Sequence, residues 1–137
     1  MKKIKLIALA ILSGLAFSCS SDDGPSTSGE FTGKWYFKET RVGGETIPYD
    51  DHEVCGKDYI QFNADGTGKS VDVYNCAEFD EIFTYTRNGN NITLTFGGEP
   101  STVQITELSS TTLKVKSTYD YDGDGDEEQV IEVLTRT

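Results

Sequence analysis

The chain is poor in the side chains that carry most protein chemistry. Its 137 residues hold one histidine, one tryptophan, one methionine, three prolines and three cysteines. A lone histidine would have to serve every nucleophile–base scheme and every zinc site. It lies in Tyr49-Asp50-Asp51-His52-Glu53, where it reads as an exposed loop residue. No catalytic constellation can be assembled, and an enzyme is not expected. Basic residues are scarce as well, 12 against 23 acids. An acidic surface repels phosphate backbones, so nucleic acid is excluded as a partner. No apolar run reaches the ~20 residues of a membrane-spanning helix. No amphipathic helix of respectable length is visible either.

What is there begins with an export signal. Met1-Lys2-Lys3-Ile4-Lys5 is positive, and an apolar run from Leu6 to Phe17 follows, broken only by Ser13 and Gly14. A positive start and about a dozen apolar residues make a secretory signal peptide over residues 1–18. It ends Leu15-Ala16-Phe17-Ser18-Cys19, and a small residue directly before a cysteine resembles the lipobox of bacterial lipoproteins. That resemblance implies a diacylglycerol thioether on Cys19, cleavage before it, and acylation of the new amino group. The bilayer is then the expected partner of Cys19, since each buried CH₂ contributes ~0.8 kcal/mol. Ser20-Ser21-Asp22-Asp23 resembles the acidic export tag of Bacteroidetes surface lipoproteins. It implies an outer-membrane, outward-facing location.

Removing residues 1–18 takes away three lysines and no acid, leaving 119 residues with 9 basic and 23 acidic side chains and a charge of −14. That length suffices for one domain with its own core. Residues 20–32 are Ser, Asp, Gly, Thr and Pro almost throughout, so 19–32 is expected to be a lipidated cysteine and flexible tether, with the folded domain at 33–137. Cys55 and Cys76 remain as a pair, which an oxidising envelope turns into a disulfide.

From Gly33 the apolar period is two. Trp35 and Phe37 mark a first strand, Ile60 and Phe62 a second, Val71 and Val73 a third, Phe83 and Tyr85 a fourth. Ile92, Leu94 and Phe96 mark a fifth, Val103 and Ile105 a sixth, Leu113 and Val115 a seventh. Gln129 to Thr135 is an eighth whose buried face is ambiguous, and Gly43 to Gly56 is the one non-strand stretch. Asp65-Gly66 and Asn88-Gly89 suit two-residue hairpin turns. The second would set Tyr85 opposite Ile92, Phe83 opposite Leu94 and Thr84 opposite Thr93, so that like faces like. The first would bring Cys55 and Cys76 together at the open end of its hairpin. Keeping Ile105 on the side of Leu113 or Val115 demands an odd connection near Ser109-Ser110, expected to be a three- or five-residue loop.

Eight short consecutive strands predict an all-β, single antiparallel up-and-down barrel, because closure removes both exposed edges. Gly33-Lys34-Trp35 resembles the Gly-x-Trp motif of the lipocalin superfamily. With Cys55-Gly56-Lys57-Asp58, Phe62 to Gly66 and Leu134-Thr135-Arg136, the chain resembles lipocalin-like domains of Bacteroidetes lipoproteins across residues 33–136. The resemblance implies that Trp35 plugs one barrel end under Arg136, next to Gly33, and that a small hydrophobic ligand occupies the interior. Phe37, Phe62, Phe83, Tyr85, Leu94 and Phe96 are the candidate lining residues, and they are equally able to fill the core. The Thr-Asp-Tyr element and C-terminal helix of typical lipocalins are missing, which counts against a deep cavity. A filled core with function on the outer loops, toward a protein or glycan, is the alternative.

One further motif concerns a cofactor. Asp120, Asp122 and Asp124 match positions 1, 3 and 5 of a calcium loop, with Gly125 at position 6 and Asp126 next to it. Position 12 is Ile131 rather than an acid, so calcium, if held, binds weakly. A solvated hairpin loop whose aspartates favour turns reads equally from these residues.

Overall fold

The period-two pattern becomes strand from Gly33 onward. The computed structural model describes residues 26–27 and 29–137; the expected signal peptide, Cys19 and most of the tether lie outside them. Ten strands run in chain order: β1 Ser26–Thr27, β2 Gly33–Val42, β3 Glu45–Pro48, β4 Tyr59–Phe62, β5 Thr67–Tyr74, β6 Ala77–Asn88, β7 Asn91–Phe96, β8 Glu99–Leu108, β9 Thr112–Tyr119 and β10 Glu128–Thr135. Eight of them, β2 and β4 to β10, pair antiparallel in succession, and β10 returns to β2 from Val130↔Val42 to Thr135↔Tyr36. The first and last edges are therefore bonded to each other, and the sheet is a closed eight-stranded barrel. The two other strands sit outside this circuit: β3 pairs with the second half of β2, and β1 runs parallel to β8.

Several local expectations need correction, each for a physical reason. The turn at Asp65-Gly66 has three residues, not two: Asn63 and Thr67 are bonded, and Phe62 pairs with Gly68. Asp65 accepts bonds from the Thr67 N–H and hydroxyl, and Gly66 takes φ +85°, the left-handed position that closes a three-residue hairpin. The next turn is Gly89-Asn90, so Phe83 meets Phe96 and Tyr85 meets Leu94. This two-residue displacement preserves side-chain parity, so threonines still face threonines. Near Ser109-Ser110 the reversal is even, with Leu108 opposite Leu113. The odd residue appears as a bulge at Thr106, which restores Ile105 to Val115. Within Gly43 to Gly56 a glycine pair reverses the chain and permits β3.

A second bulge matters more for the interior. Leu134 pairs with Phe37, yet Val133 pairs with Glu39, so Lys38 is the extra residue on β2. Side-chain parity flips there. Trp35 and Phe37 face inward before it, Thr40 and Val42 after it.

The core joins Phe31, Trp35, Phe62, Phe83, Ile92, Ile105, Leu108, Leu113 and Leu134. Phe31, two residues before the expected domain start at Gly33, belongs to this core. Its ring lies 4.3 Å from Phe62 and 5.7 Å from Tyr85, and so caps one barrel end. A single aromatic in a polar stretch gives no periodic signal in the sequence.

Candidate functional site

The antiparallel circuit puts Phe31, the turns at Gly66, Gly89-Asn90 and Ser110-Thr111, and Arg136 at one end. The other end carries the turns at Gly43-Gly44, Asn75-Cys76 and Gly97-Gly98, and the acidic loop before Glu128.

The first end is plugged. Trp35 is fully buried, and its indole N–H donates to the Phe31 carbonyl at 2.8 Å. The Arg136 guanidinium lies 3.7 Å from the Trp35 ring centre. Its Nη1 donates to the Lys34 carbonyl at 3.1 Å and its Nη2 to the Glu30 carbonyl at 2.5 Å. Gly33 takes φ +104°, and a β-carbon there would stand 2.7 Å from Arg136 Nη1. Glycine thus serves both the turn into β2 and the seating of the arginine.

Beside the plug lies a cavity of about 170 Å³ lined by Phe37, Ile60, Phe62, Ile92, Leu94, Val103, Leu113, Val115, Glu132 and Leu134. Of the residues expected to line a pocket, Phe37, Phe62 and Leu94 do so. Phe83 is buried in the core, 4.8 Å from the Phe96 ring, and Tyr85 closes on Phe62 at 5.1 Å with its hydroxyl donating to the Asn63 carbonyl. These three do not line the cavity: Phe83 and Tyr85 pack on Phe62, and Phe96 packs on Phe83 beside the Gly97-Gly98 turn.

Seven lining residues are not among those candidates: the aliphatics Ile60, Ile92, Val103, Leu113, Val115 and Leu134, and the acid Glu132. Glu132 follows inward-facing parity with Val130 and Leu134, and a carboxylate at that step made the strand's buried face ambiguous. Thr40, turned inward by the Lys38 bulge, donates to its Oε2 at 2.9 Å. Burial raises the Glu132 pKa, and the Thr40 bond opposes part of that rise. Tyr119, near the same end, is held above the usual phenol range by burial first and by the Glu132 charge second.

The loop from Tyr49 to Asp58 fills the wall between β2 and β5. Asp58 is 2% exposed. It accepts the Val73 N–H at 2.7 Å and the Tyr49 hydroxyl, and burial together with this carboxylate raises the Tyr49 pKa. His52 is not an exposed loop residue: Nε2 donates to the Phe37 carbonyl at 2.7 Å, and Nδ1 accepts the Asp58 N–H at 3.1 Å. The bond accepted at Nδ1 leaves Nε2 as the nitrogen that donates. Cys55 and Cys76 form a disulfide with Cα atoms 5.6 Å apart. It ties this loop to the β5–β6 turn, where Asn75 and Cys76 both take positive φ. Glu53 caps that turn, accepting the N–H groups of Asn75 and Cys76 at 2.7 and 2.8 Å.

In the acidic loop, carboxylate oxygens of Asp120, Asp122 and Asp124 lie within 4.8 Å of one another, and Asp126 does not join them. Each of the three already accepts backbone N–H groups: Asp120 those of Gly123 and Gly125, Asp122 that of Asp124, and Asp124 that of Asp126. The carboxylates act as turn formers here, and all are exposed.

The geometry defines a class of protein: a small antiparallel barrel, plugged at one end by tryptophan under arginine and hollow beside the plug. The family model described as "Lipocalin-like domain" matches residues 31–115, more than half of the chain, and the chain belongs to that family. Among solved structures, a lipocalin-like protein from Bacteroides uniformis ATCC 8492 superposes with a TM-score of 0.59 at 13% identity, covering 80% of this chain and 100% of that one. An uncharacterized protein from Bacteroides eggerthii DSM 20697 superposes with a TM-score of 0.58 at 12% identity, covering 79% and 100%. At such identities the likeness is one of fold. A comparison with curated proteins finds no match.

Proposed function

We propose that this chain is a lipid-anchored protein of the bacterial envelope whose barrel takes a small apolar ligand. The observation that carries the binding step is the cavity of about 170 Å³ with nine apolar lining residues and one acid. An apolar cavity of ~150 Å³ is enough to hold a benzene ring, and such a space gains more from an apolar guest than from water. The single histidine is spent on backbone bonds, which supports a binder over an enzyme. The acidic charge supports a partner other than nucleic acid. The anchor rests on Cys19 and the signal before it, and surface exposure on Ser20 to Asp23.

One observation favours a second reading, a protein-interaction module. Among the described residues, 77–82 of β6 pair with β5 alone, because β7 begins pairing at Phe83. On that stretch Phe79 is 58% and Ile82 70% exposed. A free edge with apolar side chains is a template for another strand. Native mass spectrometry of the mature chain carrying Cys19→Ser separates the two. A co-purifying molecule below about 200 Da, the size limit such a cavity sets, supports the ligand reading. An apo mass that stays unchanged with every small apolar probe, together with capture of a strand-forming peptide, supports the second.

A further inference from the structure

We propose that the cavity selects a small hydrophobic amine, with its ring or short alkyl tail among Phe37, Leu94 and Val115 and its ammonium group at the Glu132–Thr40 rim. This inference rests on the ligand-binding reading above and names the chemistry of its head group.

The first ground is the position of Glu132. Nine of the ten lining residues are apolar, and the tenth is a carboxylate on an inward step of β10. Partial burial of a carboxylate is unfavourable unless it is paired and hydrogen-bonded. Among the described residues Glu132 has one donor, the Thr40 hydroxyl on Oε2. The ion pairs among those residues are Arg41–Glu39 and Lys114–Glu107, so no lysine or arginine neutralises it. A cavity built only to be filled has no use for such a group. An ammonium brought by a guest supplies both the missing charge and the missing donors.

The second ground is the field at the open end. Asp120, Asp122, Asp124, Asp126, Glu127 and Glu128 sit on the hairpin that leads into Glu132. On the face of β9 that Glu132 shares, the titratable residue is Tyr119, uncharged at neutral pH, while Lys114 and Lys116, which flank its partner Val115, point to the opposite face. A cation is drawn to this end, and a fatty acid or other carboxylate is repelled from it. The same apolar cavity with a lysine at this step would select the opposite charge.

Three probes of one size test this: benzylamine, benzyl alcohol and benzoate, titrated into the mature Cys19→Ser chain at neutral pH. Methyl resonances of Ile92, Leu94, Val103 and Val115 report cavity occupancy. Benzylamine should bind about tenfold or more tightly than benzyl alcohol, as one charge-assisted contact requires, and benzoate should not bind. Glu132→Gln should bring benzylamine to the level of benzyl alcohol and leave benzyl alcohol within about twofold. Equal affinity for amine and alcohol, with the methyls shifted, overturns the amine and leaves the cavity reading standing. No methyl shift with any probe overturns the cavity reading itself. Benzylamine binding that survives Glu132→Gln, or that is lost in Asp120→Asn/Asp122→Asn/Asp124→Asn, places the amine on the outer loop and overturns the proposal.

Discussion

Removing the Arg136 side chain should cost the domain a large part of its stability. Three contacts are lost at once in Arg136→Ala: the guanidinium over Trp35 at 3.7 Å and the bonds to the Lys34 and Glu30 carbonyls. A cation over an indole contributes about 0.5–2 kcal/mol. A hydrogen bond to a charged group contributes about 1.5–3 kcal/mol, and the half-exposed setting argues for the low end of each range. The total is on the order of 3 kcal/mol, against the ~5–15 kcal/mol that holds a typical domain folded. At ~4–8 °C per kcal/mol, the midpoint should fall by roughly 12–24 °C. Arg136→Lys keeps a charge over the ring but cannot bridge two carbonyls, so about half of the loss is expected. Trp35 is the chain's one tryptophan and is fully buried, so its fluorescence reads the unfolding directly in urea. Stability of Arg136→Ala within about 0.5 kcal/mol of the parent, the spread of an ordinary surface change, would refute the bracing role.

Gly68→Ala should destabilise by about 1–3 kcal/mol through overpacking, because its β-carbon would stand 2.3 Å from Phe83 and 2.5 Å from the Gln61 carbonyl; chemical denaturation checks it, and a neutral effect contradicts the packing of β5 on β6. Reducing Cys55–Cys76, with its separation of 21 residues, should cost ~3 kcal/mol, read as a lower urea midpoint with dithiothreitol; an unchanged midpoint would show that the loop needs no tie. Glu132 has a raised pKa in the folded chain, so the folded state binds its proton more tightly; stability is lost as pH rises from the ordinary carboxylate range through the raised value. Glu132→Gln should therefore gain on the parent at neutral pH and lose that advantage in acid, as urea midpoints at the two pH values will show. Cys19→Ala should abolish incorporation of labelled palmitate in cells, and retained label would place the lipid elsewhere.

Much of the barrel could be read from alternation alone. Tyr85 and Phe83 face apolar partners in β7, as the hairpin argument required, even though the turn lies one residue later than Asn88-Gly89 implied. Parity survives a shift of two, so the same faces meet with different partners. The bulges at Lys38 and Thr106 were hidden because an extra residue leaves no compositional mark. Their effect is large: without the first, Thr40 would point outward and Glu132 would have no donor. Phe31 was hidden by its polar neighbours, and the free edge at 77–82 by the ordinary strand character of its residues. The roles of His52 and Asp58 depend on contacts with Phe37 and Val73, which sequence spacing does not encode.

Xenon pressurisation of crystals of the mature chain puts the hollow beside the plug to the most direct test. The account predicts a xenon atom in van der Waals contact with Phe37, Leu94 and Val115. A barrel that stays free of xenon there, with those side chains closed on one another, would contradict it.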